Sequence, residues 1–115
     1  MRYLQTKNIC QIGGVLFVAP WLKLLDFAIE DEESFNVAKP WLETKIDFEK
    51  VKQFTKNINC IFSDNDYFVP LDQKNRFEEL LDAKTIVVNG KGHISQDDDV
   101  YELKEALEEC KKMLK

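Results

Sequence analysis

The chain has 115 residues, of which 44% are hydrophobic and 11% aromatic, and its formal net charge is −5. This length and apolar content predict one folded domain over residues 1–115 and exclude a disordered chain. The negative charge argues against a nucleic-acid partner, because phosphate binding needs a basic face.

The cysteines and the apolar segments indicate where the protein resides. Cys10, Cys60 and Cys110 are an odd set without Cys-x-x-Cys spacing, which argues against a disulfide framework and favours a reducing cytoplasm. We interpret all three as small core residues. The longest apolar run is far shorter than the ~20 residues that cross a bilayer. The sequence therefore predicts a soluble cytoplasmic protein without a membrane partner.

Three short apolar runs, residues 12–19, 58–63 and 84–89, predict the strands of the fold. Runs of this kind are typical of parallel strands buried on both faces, and each is followed by turn-forming residues. The segments after them have helical periodicity, which predicts a parallel sheet with right-handed crossovers. We therefore expect an α/β fold of three layers, with helices flanking a short sheet of about three strands.

Three helices are expected around this sheet. Asp47 and Asp72 stand where the first two would begin, and apolar side chains recur at helical spacing after each of them. The last helix is predicted from about Asp99, with its apolar residues on one stripe. The members of that stripe are Val100, Leu103, Leu107, Cys110 and Leu114.

The segment 22–46 is the longest without a predicted strand. It contains the acidic residues 30–33 and a predicted break at residues 39–41. Two interpretations stay open, a helical or irregular flap over the strand ends and a solvated surface excursion. Four aromatic side chains suit either an apolar acyl site or core packing: Trp21, Phe35, Trp41 and Phe68.

An aspartate and the only histidine follow the second and third predicted strands. Asp66 lies in the segment Ser-Asp-Asn-Asp-Tyr-Phe-Val-Pro of residues 63–70, and His93 directly follows Gly92. Because the carboxyl ends of parallel strands meet at one edge of a sheet, these side chains are expected to approach each other. A carboxylate that orients an imidazole is the acid–base half of a Ser-Asp-His triad, and α/β-hydrolases place the two in this order.

Both residues also have a purely structural interpretation. Asp66 alone suits a turn aspartate that bonds its own backbone, and His93 alone suits a satisfied surface histidine. Asp64 competes for the acid role, but Asp66 has the spacing to residues 69–70 that a Pro-terminated acid loop requires. The joint pattern favours Asp66 and His93 as catalytic residues.

The nucleophile of such a triad is not recognisable in this sequence. The elbow Gly-x-Ser-x-Gly occurs nowhere in the 115 residues, and Ser63 and Ser95 do not lie on a strand-to-helix elbow. No cofactor is predicted, because residues 90–92 lack the third glycine of a dinucleotide loop. No metal is predicted either, since there is one histidine and residues 97–99 are better explained as the solvated start of a helix.

At this point the chain resembles the small α/β-hydrolases of the YdeN and retinoblastoma-binding-protein-nine type. Four segments carry the resemblance in order: residues 12–21, 46–52, 63–70 and 92–93. It implies a truncated α/β-hydrolase fold that corresponds to the C-terminal part of the family, roughly its last three strands. It also implies that Asp66 is the triad acid, that His93 is the triad histidine, and that residues 18–21 line the pocket.

The resemblance further implies a serine hydrolase of the carboxylic-ester or acyl class whose nucleophile elbow lies upstream of residues 2–5. Such a chain would have little or no activity alone, and a small ester or acyl substrate is expected only if the site is completed. The alternatives are a non-catalytic interaction module, which would use the first-strand edge and the flap, or one chain of a split enzyme. Because the first strand would lack a neighbour, we expect a homodimer through its edge.

Overall fold

The computed structural model describes residues 1–24 and 31–114 and contains one parallel sheet with helices on both faces. The strands β1 (Val15–Val18), β2 (Ile58–Ser63) and β3 (Lys84–Val88) lie in the order β1-β2-β3. Four α-helices accompany them within the described ranges: α1 (Glu32–Glu43), α2 (Phe48–Lys52), α3 (Gln73–Leu81) and α4 (Lys104–Met113). The predicted α/β class and the three strands are confirmed.

The strands pair where the sequence is most apolar. All six residues of β2 are buried, as expected for the central strand of a parallel sheet. β1 is shorter than the predicted run 12–19, because the N–H of Ile12 donates to the carbonyl of Phe54 at 2.9 Å, outside the sheet. Sheet pairing begins where the N–H of Val15 donates to the carbonyl of Asn57. It ends at Ala19, whose left-handed backbone (φ 46°) turns the chain out of the strand.

One face of the sheet holds the main core. Phe77 of α3 is fully buried, with its ring centroid 5.9 Å from Phe62 of β2 and 6.1 Å from Phe17 of β1. Val51 of α2 and Leu81 of α3 join the same cluster. Asp47 caps α2 as predicted by accepting the N–H of Lys50, whereas the side chain of Asp72 makes no cap hydrogen bond.

The opposite face is covered by α4, and here the predicted apolar stripe is wrong. The helix begins at Lys104, and Leu107, Cys110 and Leu114 are exposed. The side chain turned to the sheet is that of Glu109, which is 4% exposed. Its carboxylate accepts hydrogen bonds from Asn59 (2.7 Å), Lys84 (3.1 Å) and Lys112 (2.5 Å).

These bonds explain why α4 turns Glu109, and not its predicted apolar stripe, to the sheet, because a buried carboxylate must keep its hydrogen-bond partners. The hydrogen bonds from Lys112 and Lys84 also lower the pKa of Glu109. Of the cysteines, Cys60 is a core residue as predicted, but Cys10 and Cys110 are exposed.

The flap segment is helical over much of its length. Asp31 begins α1 by accepting the N–H of Ser34 at 2.8 Å. The predicted break at residues 39–41 is wrong, because α1 runs through Pro40 and ends at Glu43, where the N–H of Thr44 donates to the Pro40 carbonyl. Residue 30 of the acidic stretch 30–33 lies outside the described residues. No helix within 1–24 and 31–114 combines the length and apolarity that a membrane span needs.

Candidate active site

The structure brings Asp66 and His93 together at the carboxyl edge of the sheet. Oδ2 of Asp66 lies 2.9 Å from Nδ1 of His93, and the side chains are 3% and 29% exposed, respectively. A carboxylate at this position keeps the ring proton on Nδ1 and leaves the Nε2 lone pair available. No polar group in the described part of the chain hydrogen-bonds Nε2.

The second oxygen of Asp66 fixes the turn after β2. Oδ1 accepts the backbone N–H groups of Phe68 at 2.8 Å and Val69 at 2.9 Å. The turn interpretation and the pairing with His93 therefore both hold, with one oxygen for each. The ring of Phe68 packs edge-to-face on the imidazole, with centroids 5.3 Å apart at 90°, so a hydrophobic wall limits rotation of the ring.

Asp64 does not contact the histidine ring. It is exposed, and its Oδ1 accepts the N–H of Gly90 at 2.8 Å. It therefore ties the loop after β2 to the loop after β3, and the choice of Asp66 over Asp64 agrees with the geometry.

The neighbouring Asn65 was missed by sequence reasoning. Its Oδ1 accepts the N–H of Gly92 and the hydroxyl of Ser63, each at 2.8 Å. The only sequence signal for this role is an asparagine in a turn after a strand, which is common to many loops. Asn65 thus holds the backbone immediately before His93.

The two serines beside the site have structural hydrogen bonds. Ser63 is 1% exposed, and its hydroxyl also accepts the N–H of Lys91 at 3.1 Å. The hydroxyl of Ser95 donates to Asp98 at 2.8 Å. Neither lies on a strand-to-helix elbow, in agreement with the prediction that neither is the nucleophile.

Residues 97–99 do not begin the last α-helix, which corrects this part of the sequence interpretation. They belong to a 3₁₀ turn (Gln96–Asp98) and its left-handed end at Asp99. The carboxylate of Asp98 accepts the backbone N–H of His93 at 2.9 Å. Within the described ranges no group of three or more metal-ligating side chains occurs.

The four aromatic candidates do not share one pocket. Trp21 and Trp41 line an apolar cleft of about 430 Å³ together with Leu24 and Val37. Phe35 is 43% exposed and is not among the residues that line this cleft, while Phe68 packs on His93. Of the four, only Trp21 and Trp41 line this cleft within the described residues.

A parallel sheet covered by helices on both faces, with an aspartate and a histidine joined at its carboxyl edge, defines the class of α/β-hydrolases. The chain belongs to the serine hydrolase family, whose model matches residues 1–112. No curated protein matches this chain.

The fold is also similar to the crystal structure of the ydeN gene product from B. subtilis, with a TM-score of 0.84 at 19% sequence identity. The alignment covers 98% of this chain and 57% of that chain, so this chain spans little more than half the length of its structural neighbour. The predicted YdeN-like fold is thereby confirmed.

Proposed function

We propose that this chain supplies the acid and the base of a carboxylic-ester or acyl hydrolase, with His93 as the general base and Asp66 as its orienting carboxylate. The serine nucleophile would come from polypeptide other than these 115 residues, which would then correspond to the C-terminal part of the hydrolase fold. The observation that carries the proposal is the 2.9 Å contact between Asp66 Oδ2 and His93 Nδ1. It is supported by the family to which the chain belongs.

The geometry suits proton transfer at Nε2. Backbone N–H groups hold one oxygen of Asp66, so the other oxygen keeps its direction toward the imidazole. As the serine oxygen attacks the ester carbonyl carbon, Nε2 takes the hydroxyl proton, and Asp66 stabilises the imidazolium that forms. The imidazolium then gives this proton to the leaving alkoxide. The same base activates the water that hydrolyses the acyl-enzyme.

The apolar cleft supports the choice of substrate class. Trp21 follows β1 and lines this cleft with Trp41, so the acyl group is expected to be apolar. We place the reaction in the cytoplasm, because the three cysteines are free thiols.

A fluorophosphonate probe tests this proposal. The chain alone is expected to remain unlabelled. A polypeptide that carries a Gly-x-Ser-x-Gly elbow, encoded either upstream in the same reading frame or as a separate chain, is expected to become labelled at its serine once this chain is present. Replacement of that serine by alanine is the matched control. Labelling of this chain alone, or labelling of the elbow serine at an equal rate without this chain, would contradict the proposal.

The open edge of β1 supports a second candidate function, self-association as an interaction module. Since the N–H groups of Val15 and Ala19 face β2, those of Leu16 and Val18 face the open edge. An apolar cleft of about 310 Å³ between β1 and α4 lies beside it, lined by Leu16 and Met113 among others. Under a two-fold axis such an edge is self-complementary, which favours a second copy as its occupant.

We expect a dimer by multi-angle light scattering at micromolar concentration, and we expect V18K to convert it to a monomer because lysine on an edge strand opposes pairing. The matched control is V87K, at a similarly exposed valine of the other outer strand, which is expected to remain dimeric. A monomeric wild-type chain would exclude this second function, and a V18K dimer would exclude the β1 edge.

A further inference from the structure

His93 lies in a loop with unusual backbone geometry. Gly92 before it and Ile94 after it both have left-handed conformations, with φ of 55° and 54°. For a β-branched residue such as Ile94 this conformation is a genuine outlier. Such a conformation persists only where surrounding contacts impose it, so the direction of the His93 side chain depends on whatever holds this loop.

Asn65 holds this loop at Gly92, and the carboxylate of Asp98 holds it at His93 and Ser95. Its Oδ2 accepts the backbone N–H of His93 at 2.9 Å and the hydroxyl of Ser95 at 2.8 Å. It also accepts a hydrogen bond from the hydroxyl of Tyr67, the residue next to Asp66. Asp98 therefore joins the loop of the histidine to the loop of the acid.

Asp98 also packs closely against Gly92. A Cβ atom placed on Gly92 would lie 2.2 Å from Oδ1 of Asp98, far inside van der Waals contact. The glycine is thus needed both for its backbone conformation and for the space that the carboxylate fills. Partial desolvation raises the pKa of Asp98, but the hydrogen bonds from Ser95, Tyr67 and the His93 N–H outweigh it and leave that pKa lowered.

We propose that Asp98 is a positioning residue for His93, which keeps Nδ1 on Asp66 and Nε2 directed to the open edge of the site. Asp98 acts through the backbone of His93 and through Tyr67, not on a substrate. Its effect on catalysis rests on the proposed hydrolase function, whereas its effect on the histidine ring does not.

An amide cannot replace this carboxylate. Three donors converge on Asp98, whereas asparagine offers one acceptor oxygen and an NH₂ group that donates. D98N therefore keeps the shape of the side chain and loses at least one of the three bonds. Its matched control is D97N, the same substitution at the exposed preceding residue.

The test is NMR of the His93 imidazole in the full chain, where the ring is the only histidine signal. The wild-type chain and D97N are expected to show one deshielded Nδ1 proton bonded to Asp66. D98N is expected to lose or broaden that signal while the circular dichroism of the chain is retained. An unchanged Nδ1 signal in D98N would overturn the proposal.

Two further variants decide the case if D98N does not fold. Y67F and S95A each remove one donor and leave the carboxylate in place, so each is expected to broaden the Nδ1 signal partially. If both leave the signal as in the wild type, Asp98 does not position the ring.

The completed hydrolase is this chain together with the polypeptide that carries the Gly-x-Ser-x-Gly elbow. There D98N is expected to slow fluorophosphonate labelling of the elbow serine about 10–100-fold, because displacing a catalytic group by up to about an ångström costs that much in rate. A folded D98N that is labelled at the wild-type rate would contradict the catalytic part of the proposal. If the wild-type chain keeps its Nδ1 signal but no elbow serine is labelled with any elbow-bearing polypeptide, the hydrolase function is contradicted and the positioning role of Asp98 is retained.

Discussion

Replacing His93 by alanine in the completed hydrolase is expected to lower kcat for p-nitrophenyl acetate by on the order of 10⁶-fold, the effect of removing the base from a serine hydrolase triad. The reason is that the proposed site loses its base, since His93 is the only histidine of the sequence and Asp66 holds its imidazole from 2.9 Å. The measurement is steady-state hydrolysis with the elbow-bearing polypeptide at saturation.

Two aspartate variants test whether this effect depends on the pairing of His93 with Asp66. D66N is expected to lower kcat about 10⁴-fold, because an amide favours the wrong tautomer of the imidazole. D64N is the matched control, since within the described residues the carboxylate of Asp64 accepts a hydrogen bond only from the backbone N–H of Gly90. It is expected to stay close to the wild-type rate. An H93A enzyme with wild-type kcat, or equal losses in D64N and D66N, would show that the pair is not catalytic.

Replacing Phe77 by alanine is expected to lower the free energy of unfolding by about 3–5 kcal/mol. Phe77 is fully buried and its ring packs on those of Phe17 and Phe62, so the truncation leaves a cavity between α3 and the sheet. Native domains have only about 5–15 kcal/mol of stability, so the loss is a large fraction of the total. Urea unfolding followed by circular dichroism measures it.

The matched control for this prediction is F35A on α1. Phe35 is 43% exposed, and the same truncation there is expected to change the stability by about 0.5 kcal/mol or less. F77L keeps most of the volume and is expected to cost less than about 1.5 kcal/mol, so it reports on the site if F77A does not fold. Equal losses in F77A and F35A would contradict the assigned core.

The strands and the contact between Asp66 and His93 were predictable for the same physical reason. The central strand β2 is buried along its whole length and is therefore mainly apolar, and β3, which is only partly buried, is marked by its β-branched residues, so both stand out in the sequence almost to the residue. Parallel strands that are neighbours place their carboxyl ends at one edge, so Asp66 and His93 had to lie near each other once the strand order was known. Their contact required no other long-range information.

The residues that hold this pair in place could not be predicted in this way. Asn65 and Asp98 fix the backbone around His93 through single hydrogen bonds across loops. Polar residues in loops have no periodicity, and most of them in any chain are solvated. The sequence therefore offered a helix start as the simpler interpretation of residues 97–99, and the left-handed conformation of Ile94 gave no signal at all.

The sequence by itself thus determined the α/β class, the three strands and the residues that meet at the sheet edge, because these follow from local hydrophobic patterns and the handedness of crossovers. Only the tertiary structure decided which face of α4 is buried and what holds His93 in place. A buried Glu109 with its partners on β2, β3 and α4 outweighs the apolar stripe of Leu107 and Leu114. Two of these partners, Asn59 and Lys84, lie 50 and 25 residues from Glu109 in the sequence, so only the folded chain identifies them.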